Sequence, residues 1–201
     1  FPFRLSGGDL DKLRSCIFPI VKIRLPRDSA AMQQEETVRV LDQDQENLAR
    51  TFGPGRSLLL GPSGSGKTLI LASQAWHLPR ADGHVKRILF TCFNLSLTGY
   101  IRRLLSKKGV PLGENGVEVL PFYHLCEKIL GEAIEHKESA EYYDMVIAEA
   151  LARLDGDHPL QRHYDAILVD EGQDFSQDMA QVILKLLPPC GTLTVAMDEN
   201  Q

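Results

Sequence analysis

The stretch GPSGSGKT, residues 61–68, is the feature that most constrains how this chain can fold. It fits the pattern G-x-x-x-x-G-K-[ST] at every fixed position; the apolar run SLLL precedes it, and a helical pattern follows it to about residue 76. Glycines let the backbone wrap so that its N–H groups converge on an anion, with a helix N-terminus behind them. The pattern therefore predicts a phosphate-binding loop between a strand and a helix.

The residues of this loop have separate expected parts in binding ATP and its Mg²⁺. The ammonium group of Lys67 reaches the β- and γ-phosphates, and the hydroxyl of Thr68 is an expected ligand of Mg²⁺. A glycine-rich turn that fits by chance is the alternative, and the flanking strand and helix argue against it. The rest of the loop is expected to surround the phosphates: Gly61, Pro62, Ser63, Gly64, Ser65 and Gly66.

A second apolar run, AILVD, ends abruptly in two acids, Asp170 and Glu171. Burying carboxylates is costly unless a cation meets them. At the end of a strand in the same sheet as the phosphate loop, Asp170 would hold Mg²⁺, and Glu171 would orient and deprotonate an attacking water. The alternative is that both acids only cap the following helix, whose start favours negative charge.

Strands and helices alternate from residue 41 onward, and each predicted strand is apolar throughout. This pattern is typical of an α/β fold with a mostly parallel sheet and helices on both faces. Residues 1–40 are interrupted by glycines and prolines and are predicted to be an N-terminal extension or linker. The predicted strands are 57–60, 87–93, 116–120, 165–170 and 192–198. The further predicted helices are 42–50, 95–108, 122–134, 140–154 and 176–187.

Composition excludes few classes of function. The chain has 201 residues, 43% of them hydrophobic and 24% charged, which is ordinary for a globular protein. A net charge of -5 gives no global basic field for nucleic acid, although a local basic groove would suffice. Four dispersed cysteines without a C-x-x-C pair predict reduced thiols in an intracellular protein, cytoplasmic or, in a eukaryote, nuclear. No apolar run is long enough to span a membrane.

The acidic segment DEGQDF, residues 170–175, resembles the second motif, D-E-x-Q-[DN], of UvrD/Rep-like superfamily 1 helicases. This resemblance places Gln173 in the nucleotide site. LDQDQENLAR resembles the glutamine motif of the same family, in which Gln45 would read the adenine. VAMDENQ is similar to the third motif, with Asp198 and Gln201 retained; there Gln201 would touch the γ-phosphate and link hydrolysis to the nucleic-acid groove.

Two further segments resemble the parts of that family that contact single strands. ILFTCFNLSLTGYIRRLL resembles the motif T-F-T-N-K-A-A, and PFYHLCEKIL resembles T-F-H-S-L-C-x-x-I-L. Core packing is an alternative to base stacking for the aromatic residue of the first segment, and the basic residues of its helix equally fit a solvated face. The residues that the resemblance implies in nucleic-acid contact are Thr91, Phe93, Asn94, Phe122 and Tyr123.

The resemblance implies an N-terminal RecA-like, P-loop ATP-binding lobe over residues 41–201, with ATP and Mg²⁺ as cofactors. Its expected partners are single-stranded nucleic acid, DNA in preference to RNA, and a second RecA-like lobe, with no membrane. Only about residues 131–163 are available for the helical insertion of the family, so this insertion would be minimal. Without the arginines of the second lobe, worth about 10³–10⁵ in rate, this fragment would hydrolyse ATP weakly.

Two alternatives to a helicase or translocase stay open. One is a P-loop ATPase or small-molecule kinase with no nucleic-acid role, and the other is a non-catalytic module that binds nucleotide only to hold a conformation. The ordered glutamine motifs argue against the first, and the complete set of loop and acidic residues argues against the second. A GTPase is disfavoured because no N-K-x-D motif is present.

Overall fold

A computed structural model of the chain describes residues 20–22, 47, 49–50, 52, 54–135 and 139–199. Two residues predicted to lie in the nucleotide site, Gln45 and Gln201, fall outside the described residues, as does most of the segment 1–40. Residues 47, 49 and 50, at the end of the predicted helix 42–50, are helical.

The described strands form one six-stranded sheet in the order β1-β2-β6-β5-β3-β4, and every neighbouring pair is parallel. The predicted α/β fold with a parallel sheet is confirmed. One strand, β1, lies within the segment 1–40 and pairs with β2, so part of that segment belongs to the sheet. The strands are β1 Ile20–Lys22, β2 Arg56–Gly61, β3 Ile88–Cys92, β4 Val117–Pro121, β5 Ala166–Asp170 and β6 Thr192–Asp198.

Five α-helices with described bounds connect these strands, and a short 3₁₀ helix, Gly172–Asp174, follows β5. Serine and asparagine side chains cap three of them by accepting a backbone N–H, as these residue types commonly do. In the described part of the chain, no helix is long and apolar enough to cross a membrane. The helices are α1 Lys67–Ala81, α2 Leu95–Lys107, α3 Phe122–Leu130, α4 Ala140–Asp155 and α5 Gln177–Lys185.

Two predicted helix ends differ from the structure. The helix after the phosphate loop continues to Ala81, with Pro79 in its last turn. Helix α3 ends at Leu130 instead of residue 134, because Gly131 adopts a left-handed conformation, with φ of 74°, and closes the last turn. Glycine is a common residue at the end of a helix, but the apolar pattern of the sequence continues past Gly131 to residue 134, and this continuation obscures the end of the helix.

Helices cover both faces of the sheet, and the strand side chains alternate between them. In β3, Ile88 and Phe90 face a core shared with α1 and α2, whereas Leu89 faces a core shared with α3, α4 and α5. In β5, Leu168 and Ile167 divide in the same way. Because both faces of these strands are buried, their sequences are apolar throughout rather than alternating.

All strands run in the same direction, so their carboxyl ends meet at one edge of the sheet. In the hydrogen-bond register, Gly61 of β2 lies beside Asp198 of β6, and Cys92 of β3 lies beside Asp170 of β5. Ligands of open parallel α/β sheets bind outside this carboxyl edge. The fold therefore brings the end of the glycine loop's strand and the acidic strand to the same edge.

Candidate nucleotide site

The loop between β2 and α1 takes a path that favours glycine. Gly64 and Gly66 have φ angles of 76° and 85°, in the left-handed region. A Cβ atom at Gly64 would meet nothing within 4 Å, so backbone conformation, rather than space, is what favours glycine there. The loop thus turns sharply from the carboxyl edge of the sheet into the first turn of α1, where the helix N-terminus favours negative charge.

Lys67 opens α1 and turns back over the end of β2. Its side chain is only 5% exposed, and its Nζ donates hydrogen bonds to the carbonyl oxygens of Gly61 and Pro62, at 3.1 and 3.0 Å. The same ammonium forms an ion pair with the carboxylate of Asp198 at the end of β6. In the sequence, Asp198 is recognisable only as a retained residue of the segment that resembles the third helicase motif, and that resemblance assigns no chemical role to it. Its position as the partner of Lys67 depends on β6 lying beside β2.

Thr68 joins the loop to the acidic strand. Its hydroxyl donates a 2.6 Å hydrogen bond to Oδ2 of Asp170, although β6 separates β2 from β5 in the sheet. Asp170 is completely buried. Burial raises the pKa of the Asp170 carboxyl above its ordinary value, against the opposing effects of the Thr68 hydrogen bond and the Lys67 charge. A buried carboxylate of this kind is stabilised by a cation.

The second acid, Glu171, is held by a bridge to β6. Glu171 has a left-handed backbone, with φ of 53°, and its Oε2 accepts a 2.6 Å hydrogen bond from Nε2 of Gln173. The Oε1 atom of Gln173 accepts from the backbone N–H of Asp198 at 3.1 Å. Gly172 packs so tightly on β6 that a Cβ atom there would lie 2.4 Å from a methyl carbon of Val195. The described contacts of Gln173 therefore orient Glu171.

Cys92 ends β3 beside Asp170, and its thiol is buried. Burial, together with the nearby Asp170 carboxylate, raises the pKa of the Cys92 thiol to about 12. The thiol group stays protonated near neutral pH, and its sulfur lies 3.3 Å from the carbonyl oxygen of Asn94, within weak hydrogen-bond range.

The residues present fit a magnesium-bound nucleotide. The loop supplies a buried ammonium group and a helix N-terminus for anionic phosphates. Mg²⁺ keeps several waters and needs only one or two protein oxygens besides those of phosphates, which the Thr68 hydroxyl and the Asp170 carboxylate can provide. Within the described part of the chain, the buried hydroxyl of Ser65 in the same loop has no hydrogen-bond partner.

The structure separates the five predicted nucleic-acid residues into two groups. Thr91 and Phe122 are completely buried, so neither side chain is accessible to a nucleic-acid strand. Asn94 caps α2, with its side-chain oxygen accepting a 2.8 Å hydrogen bond from the N–H of Ser96. Asn94 is itself exposed, and Phe93 is 41% exposed and contacts the half-buried Tyr123, so these three residues are the accessible members of the set.

No protein-family model matches the sequence, and no curated protein matches it. Solved structures that are similar in fold include the following two. The C-terminal domain of a possible DNA helicase from Lactobacillus plantarum WCFS1 is 11% identical, with a TM-score of 0.41, and the match covers 85% of this chain and 88% of that one. The UvsW helicase from bacteriophage T4 is 14% identical, with a TM-score of 0.45, and the match covers 96% of this chain and 61% of that one. The functional conclusion therefore rests on the geometry of the site.

Proposed function

We propose that the chain is the RecA-like ATP-binding lobe of a UvrD/Rep-like superfamily 1 helicase or translocase, in which ATP hydrolysis drives movement along a single strand. The 2.6 Å hydrogen bond between Thr68 and Asp170 carries the proposal. It joins the phosphate loop to the acidic strand, which is the arrangement that a magnesium-bound triphosphate requires.

Nucleotide binding depends on the loop residues. Lys67 already points across the loop mouth, and phosphate oxygens would compete with the Asp198 carboxylate for its ammonium group. Thr68 and Asp170 would hold Mg²⁺, which when bound neutralises charge on the phosphates. Burial of Asp170 disfavours its ionised form in the free protein, so a bound cation would stabilise the carboxylate there.

Hydrolysis depends on the position of Glu171. Its Oε2 is fixed by Gln173, and its carboxylate would accept a proton from the attacking water. A carboxylate is a weak base, so its effect rests mainly on placement relative to the reacting atoms. Because Gln173 also accepts from the backbone of Asp198, a shift at the end of β6 would reach Glu171 through a single side chain.

The order of motifs supports a role on nucleic acid. The resemblance continues from Asp198 to Gln201, which we propose senses the γ-phosphate, and includes Gln45, which we propose contacts adenine. At the carboxyl edge, Phe93 and Tyr123 present accessible rings of the kind that stack on unpaired bases. We accordingly propose a single strand, DNA in preference to RNA, and a second RecA-like lobe as partners, and an intracellular location.

The test uses the 201-residue chain and its Lys67→Ala variant. Titration with a fluorescent ATP analogue and Mg²⁺ should show binding that Lys67→Ala abolishes, while circular dichroism shows that the fold is retained. The matched control is Lys86→Ala, at an exposed lysine outside the loop. Nucleotide binding that persists in Lys67→Ala would refute the site.

The nucleic-acid part of the proposal has a separate test. In the intact protein, with the second lobe that we propose, single-stranded DNA or RNA should bind and raise ATP turnover, because nucleic-acid binding and hydrolysis share one edge of the sheet. If neither single-stranded DNA nor single-stranded RNA binds or stimulates ATP turnover while Mg-ATP still binds, the protein is a P-loop ATPase or kinase without a nucleic-acid role.

A further inference from the structure

An aromatic cleft opens where the carboxyl ends of β3 and β4 meet α4. The rings of Phe93 and Tyr123 lie 5.8 Å apart at 68°, and those of Tyr123 and Tyr143 lie 4.6 Å apart at 51°. Because the three rings do not share a plane, they form a bent wall. The cleft has a volume of about 460 Å³ and is lined by Phe93, Tyr123, His124, Glu127, Ile134 and Tyr143.

The position of this cleft follows from the sheet. Phe93 directly follows β3, and Tyr123 lies in the first turn of α3 directly after the neighbouring strand β4. The third ring, Tyr143, comes from the first turns of α4, in the region where the sequence allows only a minimal helical insertion. The cleft therefore lies on the same edge as the nucleotide site, and no sequence motif points to its third ring.

Ring contacts also connect the cleft with the acidic turn. Tyr123 contacts Phe122 at 5.6 Å, and Phe122 contacts Phe175 at 5.4 Å. Phe175 ends the 3₁₀ turn that contains Gln173, where its N–H donates to the carbonyl oxygen of Gly172. A ligand that moves the ring of Tyr123 would thus displace Phe122 and Phe175, and through them the turn that follows Glu171.

The negative charge of Glu127 in the cleft indicates which part of a single-stranded nucleic acid, base or phosphate, can enter it. Oε1 of Glu127 accepts a 3.0 Å hydrogen bond from the N–H of Ile134, which orients the carboxylate. A carboxylate repels the phosphate backbone but accepts hydrogen bonds from exocyclic amino groups, such as N4 of cytosine and N6 of adenine. Thymine and uracil present an acceptor oxygen instead of this amino group. Aromatic rings beside such an acceptor suit a base rather than a phosphate.

We infer that this cleft is a base-binding pocket for single-stranded nucleic acid, in which Tyr143 supplies a stacking surface and Glu127 favours cytosine and adenine over thymine and uracil. The inference rests on the proposed function, in which single-stranded nucleic acid is the ligand. It adds to that function a pocket that prefers certain bases. Base–aromatic stacking accepts every base, so the preference arises from the carboxylate alone.

Fluorescence anisotropy with labelled homopolymers of dC, dA and dT tests the pocket in the 201-residue chain. Wild type should bind dC and dA more tightly than dT, by about fivefold for one base-edge hydrogen bond. Tyr143→Ala should weaken binding of every homopolymer by about tenfold, the loss of one stacked base, whereas Tyr143→Phe should retain it. Glu127→Gln keeps an acceptor for the N–H of Ile134 and should remove most of the base preference.

The control is Met145→Ala on α4, at a methionine that is 67% exposed and does not line the cleft. It should bind all homopolymers as wild type does. If wild type binds homopolymers but neither Tyr143→Ala nor Glu127→Gln changes affinity or preference, the pocket is refuted and the proposed function stands. If wild type binds no homopolymer at all, the nucleic-acid part of the proposed function fails. An apolar peptide that binds at the cleft while strand affinity is unchanged by Tyr143→Ala would also overturn the pocket.

Discussion

The ammonium group of Lys67 and the carboxylate of Asp198 form an ion pair that closes the phosphate loop onto the end of β6. The side chains are 5% and 13% exposed, so the pair is largely shielded from solvent. The backbone N–H of the same Asp198 is bound by Gln173, which in turn holds Glu171. One residue of β6 therefore contacts the ammonium group proposed to bind phosphate and, through one side chain, the proposed base.

Asp198→Asn should bind Mg-ATP more tightly than wild type. The substitution removes the anion that competes with phosphate for Lys67, while leaving that ammonium group without its charged partner in the free protein. The free energy of unfolding of the free protein should fall by about 1–3 kcal/mol, less than for a fully buried pair. Calorimetric titration and urea denaturation measure the two effects, with the exposed Asp157→Asn as control. Weaker nucleotide binding in Asp198→Asn would contradict this account.

Gln173→Ala should slow hydrolysis without weakening nucleotide binding. The variant loses the hydrogen bonds that orient Glu171 and attach it to β6, and misplacing a general base costs about 10- to 100-fold in rate. Single-turnover rates and the Kd of the ATP analogue separate the two effects. Gln181→Ala, at an exposed glutamine of α5, is the control. A change in Kd with an unaltered single-turnover rate would assign Gln173 to nucleotide binding instead.

Asn94→Ala should lower the free energy of unfolding by about 1 kcal/mol, the usual contribution of an N-cap. Its side chain caps α2, so Asn94→Ser and Asn94→Asp, which keep an acceptor oxygen, should retain most of the stability. Urea denaturation of the three variants measures this order. An Asn94→Asp variant that is stable but binds single strands less well would show that Asn94 also lies near the phosphate backbone.

The stability of the protein should decrease below pH 6.5 in part because of His163. Burial, followed by the charges of Arg87 and Lys128, lowers the pKa of His163 from its ordinary value of 6.5 in the folded state. The unfolded chain then binds more protons, so the contribution of His163 is complete above 6.5 and is lost as the pH falls through the lowered folded-state pKa.

Denaturation of wild type and of His163→Gln between pH 7 and pH 5 measures this effect. The variant should lose less stability than wild type over the interval, whereas His84→Gln, at an exposed histidine, should follow wild type. Parallel curves for wild type and His163→Gln would remove His163 as the cause.

Local sequence patterns predict much of this fold. The glycine loop, the apolar strands and most helix bounds depend on neighbouring residues, whose spacing sets the backbone path and the buried faces. The same patterns predict that Asp170 ends a strand near the loop. The family resemblance also assigns Thr91 and Phe122 to nucleic-acid contact, whereas both side chains are completely buried, since a motif specifies residue types but not which side of a covered sheet each side chain occupies.

The partners of the site residues depend on tertiary structure. Lys67 and Asp198 are 131 residues apart, and their contact requires β6 to lie between β2 and β5. Likewise, Tyr143 joins the aromatic cleft only because α4 packs beside α3. Residue order alone therefore predicts the phosphate loop, the acidic strand end and the class of fold. The order of the strands in the sheet decides which charges and rings meet, because such contacts join residues that no local pattern relates.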